Sequence, residues 1–457
     1  MSPDGLWIGF FVDNEVRKVS LDGQDPVTLG TVINPMGADW GFDDQIVAGN
    51  EGGRLTQISA EGGSTTVLRE RNWFLYPQIL PGSTEILNTG WSGVRASNVR
   101  TGRDRPIRPF ASNGRYVPSG HLMWNQLSTL FAAPFDLEEL SISGQAVPIL
   151  SGVRTEIYGG SHWDVSDNGT LVYAPGAAVA TLALTWVGSS GLEALPFEGT
   201  AHGTFELSPD ETRLVIVVGS GPSDIWVYDL LTGGRERLTS QGAVRYPVWS
   251  PDGTQLAFAE EEDGRALSYV MTVDAGAEAR RIAPDLLGAA TSWSGDLMAL
   301  EEAPGVAVFD MNNTQLIEVA PEPAWGGVLS PDGTKIAYTT GASGEYQIFG
   351  EPFPPTGLRR QVSTQGGSEE PRWSRDGTKL YYRNDQRIMV SLIPNAPEPS
   401  PGAPSVALEM DFVNIGRRSY EVATDGRFLI VDGGTGLATR LNVIPNWFEE
   451  LKRRVSN

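Results

Sequence analysis

Cysteine is absent from this 457-residue chain, histidine occurs three times, and lysine stands only at positions 18, 335, 379 and 452. Without cysteine there is no disulfide scaffold, no thiolate metal site and no thiol nucleophile. Compartment is left open, because a chain of this size builds its core without cross-links. Positive charge is scarce: 34 Lys and Arg face 56 Asp and Glu, for a formal net charge of −22. A field of that sign repels nucleic acid and anionic lipid, so neither is an expected partner. The acidity reads first as solubility, with a basic protein partner as the remaining expectation. No apolar run approaches the roughly 20 residues of a membrane span. The first residues lack the basic region and apolar core of a signal peptide, so no insertion into a membrane by this sequence is expected.

The usual chemical signatures are also missing. His121, His162 and His202 lie far apart, without the spacing of a metal-binding pair, and read as loop or packing residues. Ser161, His162 and Asp164 are near neighbours, but adjacent strand residues diverge and catalytic triads come from separated segments. No Gly-x-Ser-x-Gly elbow and no Asp-x-Asp-x-Asp-Gly calcium loop occurs. The acidic runs Glu260–Asp263 and Glu449–Glu450 read as solvated faces. No catalytic, cofactor-binding or metal-binding residue is therefore assigned, and no cofactor is expected.

Glycine (54) and proline (31) are plentiful, with 40% hydrophobic and 20% charged residues. That balance suits many short strands joined by tight turns around a packed core. One phrase recurs at roughly 36- to 50-residue spacing, the period of a propeller blade. Its clearest copies are Trp249-Ser-Pro-Asp-Gly-Thr254, Leu329-Ser-Pro-Asp-Gly-Thr334 and Trp373-Ser-Arg-Asp-Gly-Thr378. Weaker ones begin at Leu207, Val165, Trp40 and Ala423, eroded ones at Leu80, Val117 and Trp293, and one starts the chain at Ser2, making eleven.

Each copy follows the same physical logic. Tyr246–Ser250 reads as an inner strand and Pro251-Asp-Gly253 as a turn, where proline presets φ and Asp and Gly tolerate the tight backbone. Gln255–Ala259, Leu267–Val273 and Ala279–Ala283 read as three further strands. Such a sheet cannot bury both faces alone, so copies must stack around a ring. The recurring Trp40, Trp249, Trp293 and Trp373 read as packing between sheets rather than as a ligand box. The recurring aspartate is explained by its turn, without an ion.

The segments "WSPDGTQLAF", "LSPDGTKIAY" and "DIWVYDLLTGGRERLT" resemble TolB-like propeller repeats. The order of the chain, above all "SPDGLWIGFFVDNEVRKVSLDGQDPVTL", "GSHWDVSDNGTLVYAPG" and the closing "RFLIVDGG…LNVIPNWFEELKRRV", resembles the extracytoplasmic propeller region of bacterial membrane serine/threonine protein kinases. The kinase itself is not here: no His-Arg-Asp loop, Asp-Phe-Gly or glycine-rich phosphate loop occurs, and none of the four lysines sits in such a context. The resemblance implies a cell-envelope setting and a sensor or interaction role.

Eleven copies exceed the four to eight blades of one ring. The expectation is an all-β chain of tandem propellers: an N-terminal set over 1–198, incomplete at its start, and a six-bladed ring over 199–447. The boundary is placed near Leu195–Gly199. The turn at Ser2 lacks an inner strand before it, which reads as a fragment boundary or internal start. Residues 448–457 read as a helix capped by Asn446 with Glu449, docking on the last blade. The proline-rich stretch Pro394–Pro404 reads as a loop within one blade. Asn168-Gly-Thr170 and Asn312-Asn-Thr314 match the glycosylation sequon, a common chance match. The leading functional expectation is a non-catalytic module that receives a protein, peptide or small ligand at a propeller face or channel. The alternatives are a propeller hydrolase or lyase using channel carboxylates, and a fragment of a larger kinase-linked protein.

Overall fold

In a computed structural model the chain forms eleven antiparallel sheets among the described residues, and one C-terminal helix. The described residues are 1–455 except short stretches, chiefly 51–53, 70–73, 156–159, 177–182, 196–200, 220–222, 397–399, 416–417 and 433–439, and scattered single or paired positions. The chain divides into two compact units, one of Met1–Ala180 with Gly436–Asn457, the other Thr181–Thr435.

The repeated phrase builds the turn between the first and second strands of a sheet. Ser208 Oγ donates to Asp210 Oδ1 at 2.6 Å, and Thr212 donates to the same oxygen through its N–H (3.1 Å) and hydroxyl (2.9 Å). Arg213 N then donates to Ser208 Oγ at 2.9 Å, closing the loop. Ser250/Asp252/Thr254, Ser330/Asp332/Thr334 and Ser374/Asp376/Thr378 repeat this set. The Asp carboxylate is thus engaged by its own turn.

In the second unit six four-stranded sheets follow one another as blades. Blades I to V occupy residues 201–237, 244–281, 289–321, 324–361 and 368–409, and their inner strands succeed each other in contact. Blade VI is shared between the two ends of the unit. Its inner strands Tyr420–Val422 and Phe428–Asp432 come last in sequence, while Ala183–Gly188 and Gly191–Ala194 supply the outer two. Ala183 lies opposite Asp432 and Val187 opposite Phe428. Glu211 of blade I accepts from Thr424 N (2.8 Å) and Thr424 Oγ1 (2.9 Å) of blade VI, so the ring closes.

This corrects the expected division at 198/199. Strands 183–194 belong to the six-bladed unit, because Ala183–Gly188 pairs with Phe428–Asp432 within one sheet. The sequence-based boundary at 196–199 itself lies outside the described residues.

The first unit holds five sheets. One has three strands (Trp7–Val12, Glu15–Ser20, Val27–Thr31), and another joins Trp163–Val165 and Leu171–Tyr173 to Asn442–Ile444 from the chain's end. The helix Trp447–Arg454 follows directly. It therefore docks in this unit and not on the last blade of the other. Trp447, Leu451 and Val455 pack with Met123, Leu130, Ile149 and Leu171. Asn446 is not the expected side-chain cap either. Its backbone is left-handed (φ 57°) and its side chain makes no capping hydrogen bond. Asparagine tolerates that conformation, but its side chain does not serve the helix N-terminus here.

The tryptophans before the turns pack between sheets. Trp249 is buried, its Nε1 donates to Glu206 O of the preceding blade at 3.1 Å, and Arg213 lies 4.8 Å above its ring. Trp373 Nε1 donates likewise to Val328 O at 3.0 Å. Trp293 departs from the pattern and donates to Gly295 O in its own turn.

Candidate functional site

Inner strands of both units carry a bulge, seen as a register shift: Arg245/Val248, Ala290/Ser292, Trp325/Val328 and Glu369/Arg372 in the six-bladed unit. Tyr246, Gly326 and Glu370 take left-handed φ values at these points (52°, 63° and 56°). A bulge re-aims the residues beside it. Here it directs Tyr246, Thr291, Gly326 and Arg372 to the axis of the ring, where Thr204 and Arg418 join them.

The axis is occupied by paired charge. Arg418 Nη1 lies 2.9 Å from Glu206 Oε1 of blade I, and its Nε lies 3.7 Å from Glu421. Its Nη2 donates to Thr291 O of blade III at 3.0 Å. Arg372 of blade V approaches Glu421 at 3.9 Å. Glu206 is held from behind, accepting from Trp249 N at 2.7 Å. Beside this group Glu370 accepts from Ser419 N (2.7 Å) and Ser419 Oγ (2.8 Å), while Arg383 pairs with both Glu369 and Glu370. The space left near Thr204, Thr291 and Arg372 is about 20 Å³, roughly room for one water.

Burial sets the electrostatics. It pushes the Glu421 carboxyl above the usual range, against the pull of Arg418 and Arg372. Burial also lowers Arg372, aided by the like charge of Arg418. For Arg418 burial acts downward too, and Glu206 with Glu421 more than offsets it. The turn aspartates lie at the other extreme. Asp210 and Asp376 are drawn down to about 2, first by their serine hydroxyls and then by threonine N–H groups. Burial works against the same lowering at Asp332, which also reaches about 2.

The residues weighed from sequence are not brought together. His121 is buried on its strand with Nδ1 3.1 Å from Ser119 Oγ, and His162 is exposed, both in the first unit. His202 belongs to the strand Ala201–Leu207 of the second unit, and its side chain is outside the described residues. The Asn113 amide donates to the backbone oxygen of Ser161 at 3.5 Å. Glu450 pairs with Arg453 and Arg454, whose hydrogen bonds draw it to about 2. The proline-rich stretch lies between strands Arg387–Leu392 and Ser405–Glu409 of blade V. The sequence reading missed Glu206, Arg372, Arg418 and Glu421. Glu206, Arg372 and Glu421 carry one local signal, an ionisable residue on an otherwise packed inner strand, and Arg418 stands just before such a strand.

No helix among the described residues is long and apolar enough to cross a membrane. No protein-family model matches the chain. It is 28% identical over 192 residues to the "Uncharacterized peptidase YuxL" of Bacillus subtilis, a match covering 39% of this chain and 28% of that one. The chain thus spans under a third of that relative's length. Among solved structures it is similar to a putative TolB from Agrobacterium tumefaciens (15% identity, TM-score 0.41, 55% of this chain and 98% of that one). It is also similar to the tricorn protease (13% identity, TM-score 0.36, 86% and 46%). The sheet order of the chain itself makes it an all-β, propeller-type protein of antiparallel, mostly four-stranded sheets.

Proposed function

We propose that the chain is a non-catalytic binding module, recognising a protein or peptide segment at the end of the six-bladed ring opposite the Ser-Pro-Asp-Gly turns. The observation that carries this reading is the closed axis. Glu206, Glu370 and Glu421, the acids a channel enzyme would use, are each engaged by arginine or by backbone and hydroxyl donors. A substrate also needs more room than about 20 Å³. The turn end is satisfied by its own side chains. The opposite end carries Trp325 edge-on to Tyr346 (4.3 Å between centroids) and Arg245 near the start of the inner strands. Aromatic and arginine side chains of this kind anchor peptide contacts. By sequence resemblance to kinase-linked propellers, the setting we propose is the cell envelope.

A second reading rests on the peptidase named above. It casts the chain as a propeller that serves peptidase chemistry supplied from elsewhere. One experiment separates the two. Labelled peptides are offered to the purified chain, and both binding and cleavage are read. The binding reading expects saturable binding that weakens in Trp325→Ala, with intact peptide recovered. Binding indifferent to Trp325→Ala, or appearing only with a hydrolase present, goes against it.

A further inference from the structure

In the six-bladed unit an apolar residue follows the third strand of blades II to V and fills the gap to the blade before. Val273, Met311, Phe353 and Ile393 come directly after Thr272, Asp310, Pro352 and Leu392, the last paired residues of those strands. Val273 packs with Val215 and Val227 of blade I, and Met311 with Ala257 and Val270 of blade II. Phe353 packs with Ala299 and Val308 of blade III, and Ile393 with Ala337 and Ile348 of blade IV.

Blade VI lacks this wedge. Ser374 N donates to Lys379 O at 2.9 Å and Ala423 N to Arg427 O at 2.9 Å, so Arg427 holds the place of Lys379. Lys379 lies opposite Leu392, and Phe428 lies opposite Val187. That register sets Gly188 against Arg427 and puts Ser189, a small exposed residue, at the wedge position. Between blades V and VI a pocket of about 390 Å³ is open, lined chiefly by Lys379, Tyr381, Val390, Leu392, Ser405 and Phe428. Tyr381 and Val390 stand where blade IV has Ala337 and Gly350, on the face that Ile393 covers there. A volume of this size is within the range of small-ligand sites.

The lining is apolar with three polar groups at hand. The Tyr381 ring meets Phe428 edge-on, with 5.8 Å between centroids. Among the described residues the Lys379 amine forms no ion pair, and the Tyr381 and Ser405 hydroxyls form no hydrogen bond. Lys379 exerts a weak pull on Asp376, whose carboxylate is already taken by Ser374 and Thr378 of its own turn. No acid lines the pocket, although the chain carries a net charge of −22. One ammonium and two hydroxyl donors beside apolar walls match a single carboxylate on an apolar body. In blade IV the wedge is a phenyl ring, so the space it takes suits an aromatic group.

We propose that this pocket binds a small aromatic monocarboxylate. The ring takes the place of the missing wedge against Tyr381, Val390 and Phe428, and the carboxylate meets Lys379. The site is independent of the peptide-binding end proposed above, which lies opposite the turns.

The test uses the full chain and para-fluorophenylacetate, followed by fluorine NMR, with its neutral amide as comparison. Two variants probe the two halves of the site: Lys379→Met removes the cation, and Ser189→Phe restores an apolar wedge. Circular dichroism checks that each folds. The expected result is saturable binding, weakened at least about tenfold in Lys379→Met or with the amide and lost in Ser189→Phe. No saturation in the millimolar range overturns the proposal, as does binding indifferent to Lys379→Met or to the amide, or kept in a folded Ser189→Phe. Binding of acetyl-Gly-Gly-Phe but not of the small acid overturns it in favour of a peptide end. If Ser189→Phe does not fold, Lys379→Met and the amide decide.

Discussion

The guanidinium of Arg418 in blade VI crosses the axis of the six-bladed ring to the backbone oxygen of Thr291 in blade III, at 3.0 Å. The same side chain meets Glu206 of blade I at 2.9 Å, so one residue ties three blades together. Removing it leaves Glu206 without its cation partner and Glu421 with Arg372 alone. Arg418→Met is expected to destabilise the unit by about 3–5 kcal/mol. Adding Glu206→Gln is expected to restore part of the loss, since one orphaned charge is then gone. Urea unfolding of the single and double variants measures both.

The tryptophans that share a place in the repeat do not share a role. Trp249 is buried and bonds to the neighbouring blade, whereas Trp293 bonds within its own turn. Trp249→Ala is expected to cost about 3–5 kcal/mol, and Trp293→Ala less than half as much. Equal losses in denaturant unfolding would contradict the inter-blade assignment.

Those two residues also mark what the sequence could show. The Ser-Pro-Asp-Gly-Thr turns were legible because their hydrogen bonds require those residue types at fixed offsets, and so the eleven sheets could be counted. Closure of the ring was not legible. Ala183–Gly188 and Phe428–Asp432 are far apart, and neither carries a local mark of the other. The helix was placed correctly along the chain but docked on the wrong body, because Asn442–Ile444 pairs with Leu171–Tyr173. The axial charges escaped notice for the same reason: Glu206, Arg372 and Arg418 converge only once the ring is closed.

The helix assignment makes its own prediction. Leu451 is fully buried against the first unit. Leu451→Ala is expected to cost about 2–5 kcal/mol, felt in the first unit's unfolding and not in the second's. Hydrogen exchange resolved by segment reads this directly. Faster exchange spread evenly over residues 201–409 would speak against it.

Acid should unfold the chain through its turns. Asp210, Asp332 and Asp376 have folded-state values of about 2, below the ordinary 3.8. A depressed carboxyl contributes stability that is present above its unfolded value and lost as pH falls through the folded one. Stability is therefore expected to drop between about pH 4 and pH 2. Asp376→Asn is expected to flatten that limb while lowering stability at neutral pH. A pH–stability curve unchanged in shape would exclude the turn aspartates as its source.

The most direct test of the binding role is a single titration of the full chain with a set of basic, acidic and aromatic peptides. Melting temperature and peptide integrity by mass spectrometry are read in the same samples. A binding module predicts a melting temperature that rises with the concentration of a preferred peptide, as mass action requires, and that peptide recovered whole. Cleaved peptide, at a rate that falls in Glu206→Gln or Glu421→Gln, would contradict the account and return the axis to catalysis.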